Sequence, residues 1–325
     1  MKVVVTHSSP DPDAITSVWL IKRFLPGWED ANIQFVPAGE RIGNLKSQIS
    51  PLRQGFEGQA NLKNPIEKIG KDEVIHVDTG LGSLDHHQTP DTNICAASLT
   101  FDFVKRTINS KQLTINKEKL EALGRMVKVV VDVDHFKEVF WKDATADYHE
   151  FSLVGILDGL KVQKPDQDEY YVDFVVQCLD AVLHEFENRI WAEREIAEKG
   201  KKFKTRFGRG IGFETINDTV IKLSQKMGYV IVVRKDPRKG YVRVKAKPLR
   251  TQNSTLRLRS GQELKTQNSD IDLTLVYEKL KKIDPDATWF LHVGRKMLLN
   301  GSVKNPKMRP TKLSLDSIIK VLEKI

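Results

Sequence analysis

The chain has 325 residues, 40% of them hydrophobic, enough to bury the cores of two ordinary domains, which argues against wholesale disorder. Two cysteines, Cys95 and Cys178, make no disulfide framework necessary and suit a reducing compartment. The net charge of +9 divides unevenly: residues 1–200 hold 23 Lys and Arg against 32 Asp and Glu, a balance of −9, and residues 201–325 hold 29 against 11, a balance of +18. An acidic half suits cations and a basic half suits a polyanion, although a solvated basic face would look the same.

The N-terminal apolar run is too short for a signal peptide, and no stretch approaches the roughly 18 apolar residues of a membrane span. A soluble, cytoplasmic protein with no membrane association is the expectation. The β-branched run Lys2 to Thr6 reads as a buried strand ending at His7. Two prolines in Ser8–Pro12 stop it, and Ile15, Val18, Trp19, Ile21 and Leu25 form a helical stripe closed by Pro26-Gly27. Strand, loop and helix place His7, Asp11 and Asp13 at the carboxyl end of a strand, where open α/β sheets bind ligands.

A second strand is expected at Ile33–Val36, and residues 37–72 read poorly, with short helices possible. A strand at Val74–Val77 ends at Asp78, and a turn-rich stretch delivers Asp85-His86-His87. Ala96–Thr107 and Lys117–Val131 read as helices, the second running into Asp132-Val133-Asp134-His135-Phe136. Tyr148–Leu160 looks helical, and Glu169–Lys204 reads as one long helix. A linker is expected at about 200–210, dividing domain 1–200 from domain 201–325. Beyond it the pattern predicts a helix near Asp218–Lys226 and paired strands Tyr229–Arg234 and Tyr241–Lys247. A helix at Ile271–Lys282, strands at Thr288–Val293 and Lys296–Leu299, and a closing helix at Leu315–Lys324 follow.

The N-terminal half concentrates imidazole and carboxylate groups at element ends. His7, Asp11 and Asp13 can converge from one turn, although the two aspartates also serve as helix caps. Asp78 precedes Gly80 and could be a turn residue. The pair His86-His87 directly after Asp85 is harder to dismiss, and Asp132 or Asp134 adds a last carboxylate. Carboxylates crowded this closely repel unless a cation neutralises them. Mixed histidine and carboxylate ligation suits manganese, magnesium or a related ion over a cysteine-type zinc site.

His7-Ser8-Ser9-Pro10-Asp11-Pro12-Asp13-Ala14-Ile15 resembles the first motif of the DHH phosphoesterase superfamily, and Leu84-Asp85-His86-His87-Gln88 resembles the motif that names it. Asp78 stands where that family has a bridging aspartate, and Asp132-Val133-Asp134-His135-Phe136 resembles its fourth motif, without the usual small residues. The family includes RecJ-type exonucleases, nano-RNases, cyclic dinucleotide and phosphoadenosine-phosphate phosphatases, and family II inorganic pyrophosphatases. The resemblance covers roughly residues 1–136. It implies an α/β fold: an N-terminal, mostly parallel sheet flanked by helices, ending in a long connecting helix, with a second, smaller α/β domain. It also implies two divalent cations, manganese before magnesium or cobalt. One would be held by His7, Asp11 and Asp78, the other by Asp13, Asp78, His86 and Asp132, with Asp134 as a rival to Asp132. His87 would face the substrate phosphate and Asp85 would support it.

The implied activity is phosphoester hydrolysis of short oligonucleotides or nucleotides by a water activated between two metals, with pyrophosphate or a small phosphorylated molecule as the next choice. A non-catalytic nucleic-acid-binding module is the reading from another class. The second domain resembles the DHH-associated substrate domain only weakly. Within it, His292, Arg295 and Lys296, then Asn300-Gly301-Ser302, are the expected contacts to substrate phosphate. Residues 234–259 hold ten Lys and Arg against one acid, Asp236, and could follow the backbone of a short RNA or DNA.

Overall fold

The computed structural model describes residues 1–42, 64–111, 115–248, 271–302 and 304–324. They form two compact units, Met1–Glu187 and Asn188–Ile325. Both are α/β, with mixed sheets flanked by helices.

The first unit is built on four strands, β1 (Lys2–His7), β2 (Asn32–Val36), β3 (Ile66–Ile69) and β4 (Asp72–His76), in the order β2-β1-β4-β3. β1 runs parallel to β2 and β4, and only the edge strand β3 is antiparallel. The sheet is therefore mostly parallel, as expected. Val4 and Val5 are fully buried, in keeping with a central parallel strand covered on both faces. Helix α1 (Pro12–Phe24) follows directly, with Asp11 as its N-cap and Ile15, Val18, Trp19 and Ile21 wholly buried. Helices α2 (Ala96–Ser110) and α3 (Lys117–Asp134) pack beside it. α3 runs three residues past the expected Val131. The helix expected over Tyr148–Leu160 is instead a 3-10 turn at Asp147–His149 followed by α4 (Leu153–Gln163), capped by Ser152. β3 lies where the sequence reads poorly, and residues 43–63 of that stretch lie outside the described residues.

The long helix α5 (Asp168–Glu198) ends six residues short of the expected Lys204. Gly200 follows it, and a side chain there would meet Ile211 Cδ1 at 2.5 Å. Lys201–Thr205 (β5) and Gly208–Glu214 (β6) then form a hairpin where a linker was expected. Gly208, at φ +128°, makes the turn possible.

In the second unit β5 and β6 join β7 (Ile231–Lys235), β8 (Val242–Ala246), β9 (Phe290–Leu291) and β10 (Met297–Asn300) in the order β5-β6-β7-β8-β10-β9. One face is sealed by α7 (Thr274–Ile283) and α8 (Leu315–Leu322). Ile231, Val233, Val242, Val244 and Leu298 pack there with Val276, Leu280, Ile318 and Leu322. On the other face α6 (Thr219–Lys226) covers Ile211, Phe213 and Val232. No helix among the described residues is long and apolar enough to cross a membrane.

Candidate metal centre

The carboxyl ends of β1 and β4 are neighbours, because the strands are parallel and paired from Lys2↔Glu73 to Val5↔His76. His7 at the end of β1 therefore lies beside Asp78, just past β4. His7 Nε2 is 3.2 Å from Asp78 Oδ2 and 3.9 Å from Asp11 Oδ2. His7 Nδ1 lies 2.9 Å from the Ser8 carbonyl, to which it can donate, leaving Nε2 to face the carboxylates. Burial opposes protonation of His7, but the hydrogen bond to Asp78, the Ser8 carbonyl and the charges of Asp11 and Asp78 outweigh it, and the pKa rises to about 9.

Asp78 is buried and its backbone sits at φ +52°, in the left-handed region. Aspartate tolerates this conformation better than most residues, and such a kink concentrates at functional sites. Its N–H donates to Leu84 O at 3.0 Å, closing the loop that carries the histidines. Gly80, at φ +74°, packs against Arg41, whose guanidinium donates to Gly80 O at 2.7 Å and also pairs with Glu67. Arg41 thus braces the loop from outside. The sequence reading missed it, since it sits alone in the stretch of weak pattern after β2.

Three buried polar atoms in this arrangement lack partners, and His86 lies between the other two. Asp78 Oδ1, His86 Nε2 and Asp134 Oδ2 have no hydrogen-bond partner among the described residues. His86 Nε2 is 3.7 Å from Asp78 Oδ1, 3.5 Å from Asp134 Oδ2 and 3.7 Å from Asp13 Oδ2. Orphaned buried acceptors are costly, about 1–3 kcal/mol each, and rare without a reason. The ligand atoms of Asp78, His86 and His87, and those of His86, Asp134 and His135, lie within 4.8 Å of one another, so the donor set fits a divalent cation.

Asp13 has a second task. Its Oδ2 and Oδ1 accept the backbone N–H groups of Ala96 and Ala97, each at 2.7 Å, at the first turn of α2. A carboxylate oxygen has two lone pairs, so these bonds leave capacity for a cation. Burial, and then the Asp78 charge, hold the Asp13 carboxyl well above its usual range. Asp134 is raised as well, by burial first and then by Asp11 and Asp78, against the opposing pull of His86 and His135. Carboxylates that keep protons for want of a counter-charge are what a cation site presents before it is filled.

The fourth-motif aspartates separate clearly. Asp132 points away and pairs with Lys128 at 2.6 Å, one helical turn back. Asp134 faces His86. The two differ by two positions on α3, about 200° around a helix, so only one of them can face the cluster. The expected order of preference is thus reversed. His135, adjacent to Asp134, joins the group: its Nε2 lies 3.5 Å from Asp134 Oδ2 and 2.7 Å from Ile94 O. It stood in the quoted motif without a role.

Asp85 is buried and bonded to its own loop, accepting from Leu81 N at 2.8 Å and His87 N at 3.0 Å. Its Oδ1 also lies 2.8 Å from His87 Nδ1. It therefore sets the His87 ring, whose other nitrogen remains for a ligand. The His87 side chain is 60% exposed, unlike His86 at 10%. Burial lowers the His87 pKa, but Asp85, then Asp78 and Asp134, raise it overall.

The expected phosphate contacts of the second unit fare differently. Asn300 is fully buried, and its amide is spent on Thr288 O, Arg309 O and Thr311 N. It is a structural knot and has nothing left for a substrate. Gly301, at φ +75°, makes room for Tyr241, whose Cδ1 would lie 2.2 Å from a side chain at that position. Arg295 pairs with Asp272 at 2.9 Å, and Lys296 donates to Ile271 O at 2.6 Å, so both fasten the β9–β10 turn to the start of α7. His292 Nδ1 accepts from Gly294 N in the same turn. Ser302 takes a bond from Asn305 Nδ2 at 3.1 Å.

No protein-family model and no curated protein matches the sequence. Among solved structures, the chain is similar to an uncharacterised protein from Helicobacter pylori at 13% identity and TM-score 0.24, covering 99% of each chain. It is similar to the exonuclease RecJ bound to manganese at 9% identity and TM-score 0.25, covering 99% of this chain and 89% of that one. It is also similar to a pGpG-specific phosphodiesterase from Vibrio cholerae at 15% identity and TM-score 0.22, covering 94% of each. All three TM-scores are below 0.5, so function is argued from the site alone.

Proposed function

We propose that this protein is a divalent-metal-dependent phosphoester hydrolase acting on short oligonucleotides or nucleotides. The observation that supports this most is that Asp78 Oδ1, His86 Nε2 and Asp134 Oδ2 are buried and unpartnered, in the overlapping groups Asp78, His86, His87 and His86, Asp134, His135, beside a further group His7, Asp11 and Asp78. In this reading His7, Asp11 and Asp78 would hold one cation, and His86 with Asp13, Asp78 and Asp134 would hold the other. Manganese suits this donor set best. The cations supply Lewis acidity and charge neutralisation to phosphoryl chemistry.

The side chains of the chain divide the remaining tasks. His87, exposed and aimed by Asp85, donates to a substrate phosphate oxygen, and its raised pKa favours the protonated form that does so. Arg41 holds the Gly80 turn, and through it the position of Asp78 and His86. Burial of Asp13, Asp78 and His86 keeps water from competing for their donor atoms. The N-terminal unit carries the chemistry.

The test is hydrolysis of a panel, namely pyrophosphate, cyclic dinucleotides, phosphoadenosine phosphate and two- to five-base RNA and DNA, with added Mn²⁺. Turnover of a short oligonucleotide or nucleotide, lost in Asp78→Asn, is the expected result. Turnover of pyrophosphate alone would reassign the substrate, and no turnover by either protein would sink the hydrolase reading.

A further inference from the structure

The second unit holds a concavity of about 590 Å³ on one face of its sheet, within the 188–325 unit and separate in its residues from the metal cluster. Its origin lies in strand alternation. Val242, Val244 and Ala246 of β8 point to the sealed face, so Arg243 and Lys245 point to the other. Register then places Arg234 of β7 directly across from Arg243, and Leu299 and Met297 of β10 across from Arg243 and Lys245. α6 covers this face over Ile211 and Phe213 of β6 and Val232 of β7, and the concavity lies over β8 and β10.

Like charges opposite one another in a sheet repel, and two arginines side by side need a reason. One carboxylate, Asp218, is shared between them. The other acid of the concavity, Asp236, turns back to accept the N–H groups of Arg238 and Lys239. Arg243 Nε is left buried with no hydrogen-bond partner among the described residues. Lys245 and Lys304 line the same space and pair with no described acid. Asp218 is committed to the two arginines by ion pairing, and the ammonium groups of Lys245 and Lys304 remain. Apolar Met297 and Leu299 form part of the floor, and Tyr241, seated on Gly301, forms a wall.

We infer that this concavity binds a nucleoside phosphate, either free or as one unit of a short oligonucleotide, with phosphate on Arg243, Lys245 and Lys304 and the nucleoside on Met297, Leu299 and Tyr241. Guanidinium and ammonium groups recognise phosphate by fork and point charge, and an aromatic or apolar surface accepts the base. The space is of the size that small ligands occupy. Whether the metal cluster hydrolyses anything does not enter, because every residue named here belongs to the second unit.

The test uses the full chain in chelator, so that no hydrolysis occurs, and follows the anisotropy of 3′-fluorescein-labelled penta-uridylate. Lys245→Glu with Lys304→Glu is expected to weaken binding at least about tenfold. Lys304→Glu alone, at an exposed position that cannot disturb the sheet, should weaken it severalfold. The same charge change on the opposite side, Lys282→Glu with Lys320→Glu on α7 and α8, should leave it within about twofold. Displacement by adenosine monophosphate identifies a free nucleotide as sufficient. Displacement only by 5′-phosphorylated, unlabelled penta-uridylate identifies the oligonucleotide. Either supports the proposal. Equal weakening by the two double variants, unchanged binding in Lys245→Glu/Lys304→Glu, or displacement by inorganic phosphate at the same concentration as adenosine monophosphate would overturn it.

Discussion

His86 Nε2 and Asp134 Oδ2 face each other at 3.5 Å, both buried and neither hydrogen-bonded. Asp132, two residues before Asp134, is paired with Lys128 instead. The two aspartates therefore predict opposite outcomes. If the proposed site binds manganese, Asp134→Asn should lower the amount bound and reduce turnover at least about a hundredfold, since a positioned cation supplies several kcal/mol to the transition state. Asp132→Asn should lose at most about 1 kcal/mol of stability, as expected for a surface pair, and keep its metal. Metal content after dialysis, measured beside turnover, decides. Full metal loading in Asp134→Asn would remove it from the site.

Asp78 is expected to serve both cations, and its replacement should be the most damaging. Its left-handed backbone allows a finer comparison. Asparagine tolerates that conformation, whereas alanine does not. In chelator, Asp78→Ala should be less stable than Asp78→Asn by about 1 kcal/mol in urea denaturation. Equal stability would show that the kink carries no strain in this chain.

Cations that bind only the folded chain stabilise it by mass action. Manganese at one hundred times its dissociation constant should add about 2.7 kcal/mol, visible as a rise in melting temperature that chelator reverses. Asp78→Asn should show little of the rise. A melting temperature indifferent to manganese in the wild type would mean that the orphaned atoms bind no such ion.

The raised pKa of His7 sets a sign for pH. A group whose folded pKa lies above its unfolded value stabilises the fold below the unfolded pKa, and that contribution is lost as pH rises through the folded one. For His7 the window runs from 6.5 to about 9. Asp13 and Asp134 are raised too and act in the same direction. The metal-free protein should therefore lose stability between pH 6.5 and 9, by at most about 3 kcal/mol for His7. With manganese present the slope should flatten or reverse, because the ion competes with these protons. Denaturant titrations at both pH values, with and without chelator, measure this; a metal-free chain that gains stability with pH would contradict the geometry at His7.

Local patterns revealed most elements of both units. The run Lys2 to Thr6, the prolines after it and the stripe from Ile15 to Leu25 leave little room for anything but strand, loop and helix. The choice between Asp132 and Asp134 was not readable, because it depends on helical phase beyond Val131, where the apolar pattern had already stopped. β3 escaped notice as a four-residue edge strand with little alternation. The hairpin at Lys201–Glu214 was hidden by lysines and glycines that look like a linker when read singly. In the second unit the signals chosen for phosphate contact, a basic pair and an Asn-Gly-Ser turn, say nothing of burial. Burial turns Asn300 into a structural amide, and strand register places Arg243 and Lys245 across from Leu299 and Met297. The basic run continues past residue 248 into positions outside the described residues.

Asp13 borders the cation cluster while gripping the first two peptide groups of a 15-residue helix. Ion occupancy and the opening of that helix end are therefore coupled in one carboxylate. Deuterium uptake at Ala96 and Ala97 should slow when manganese enters, giving a readout of occupancy that needs no substrate at all.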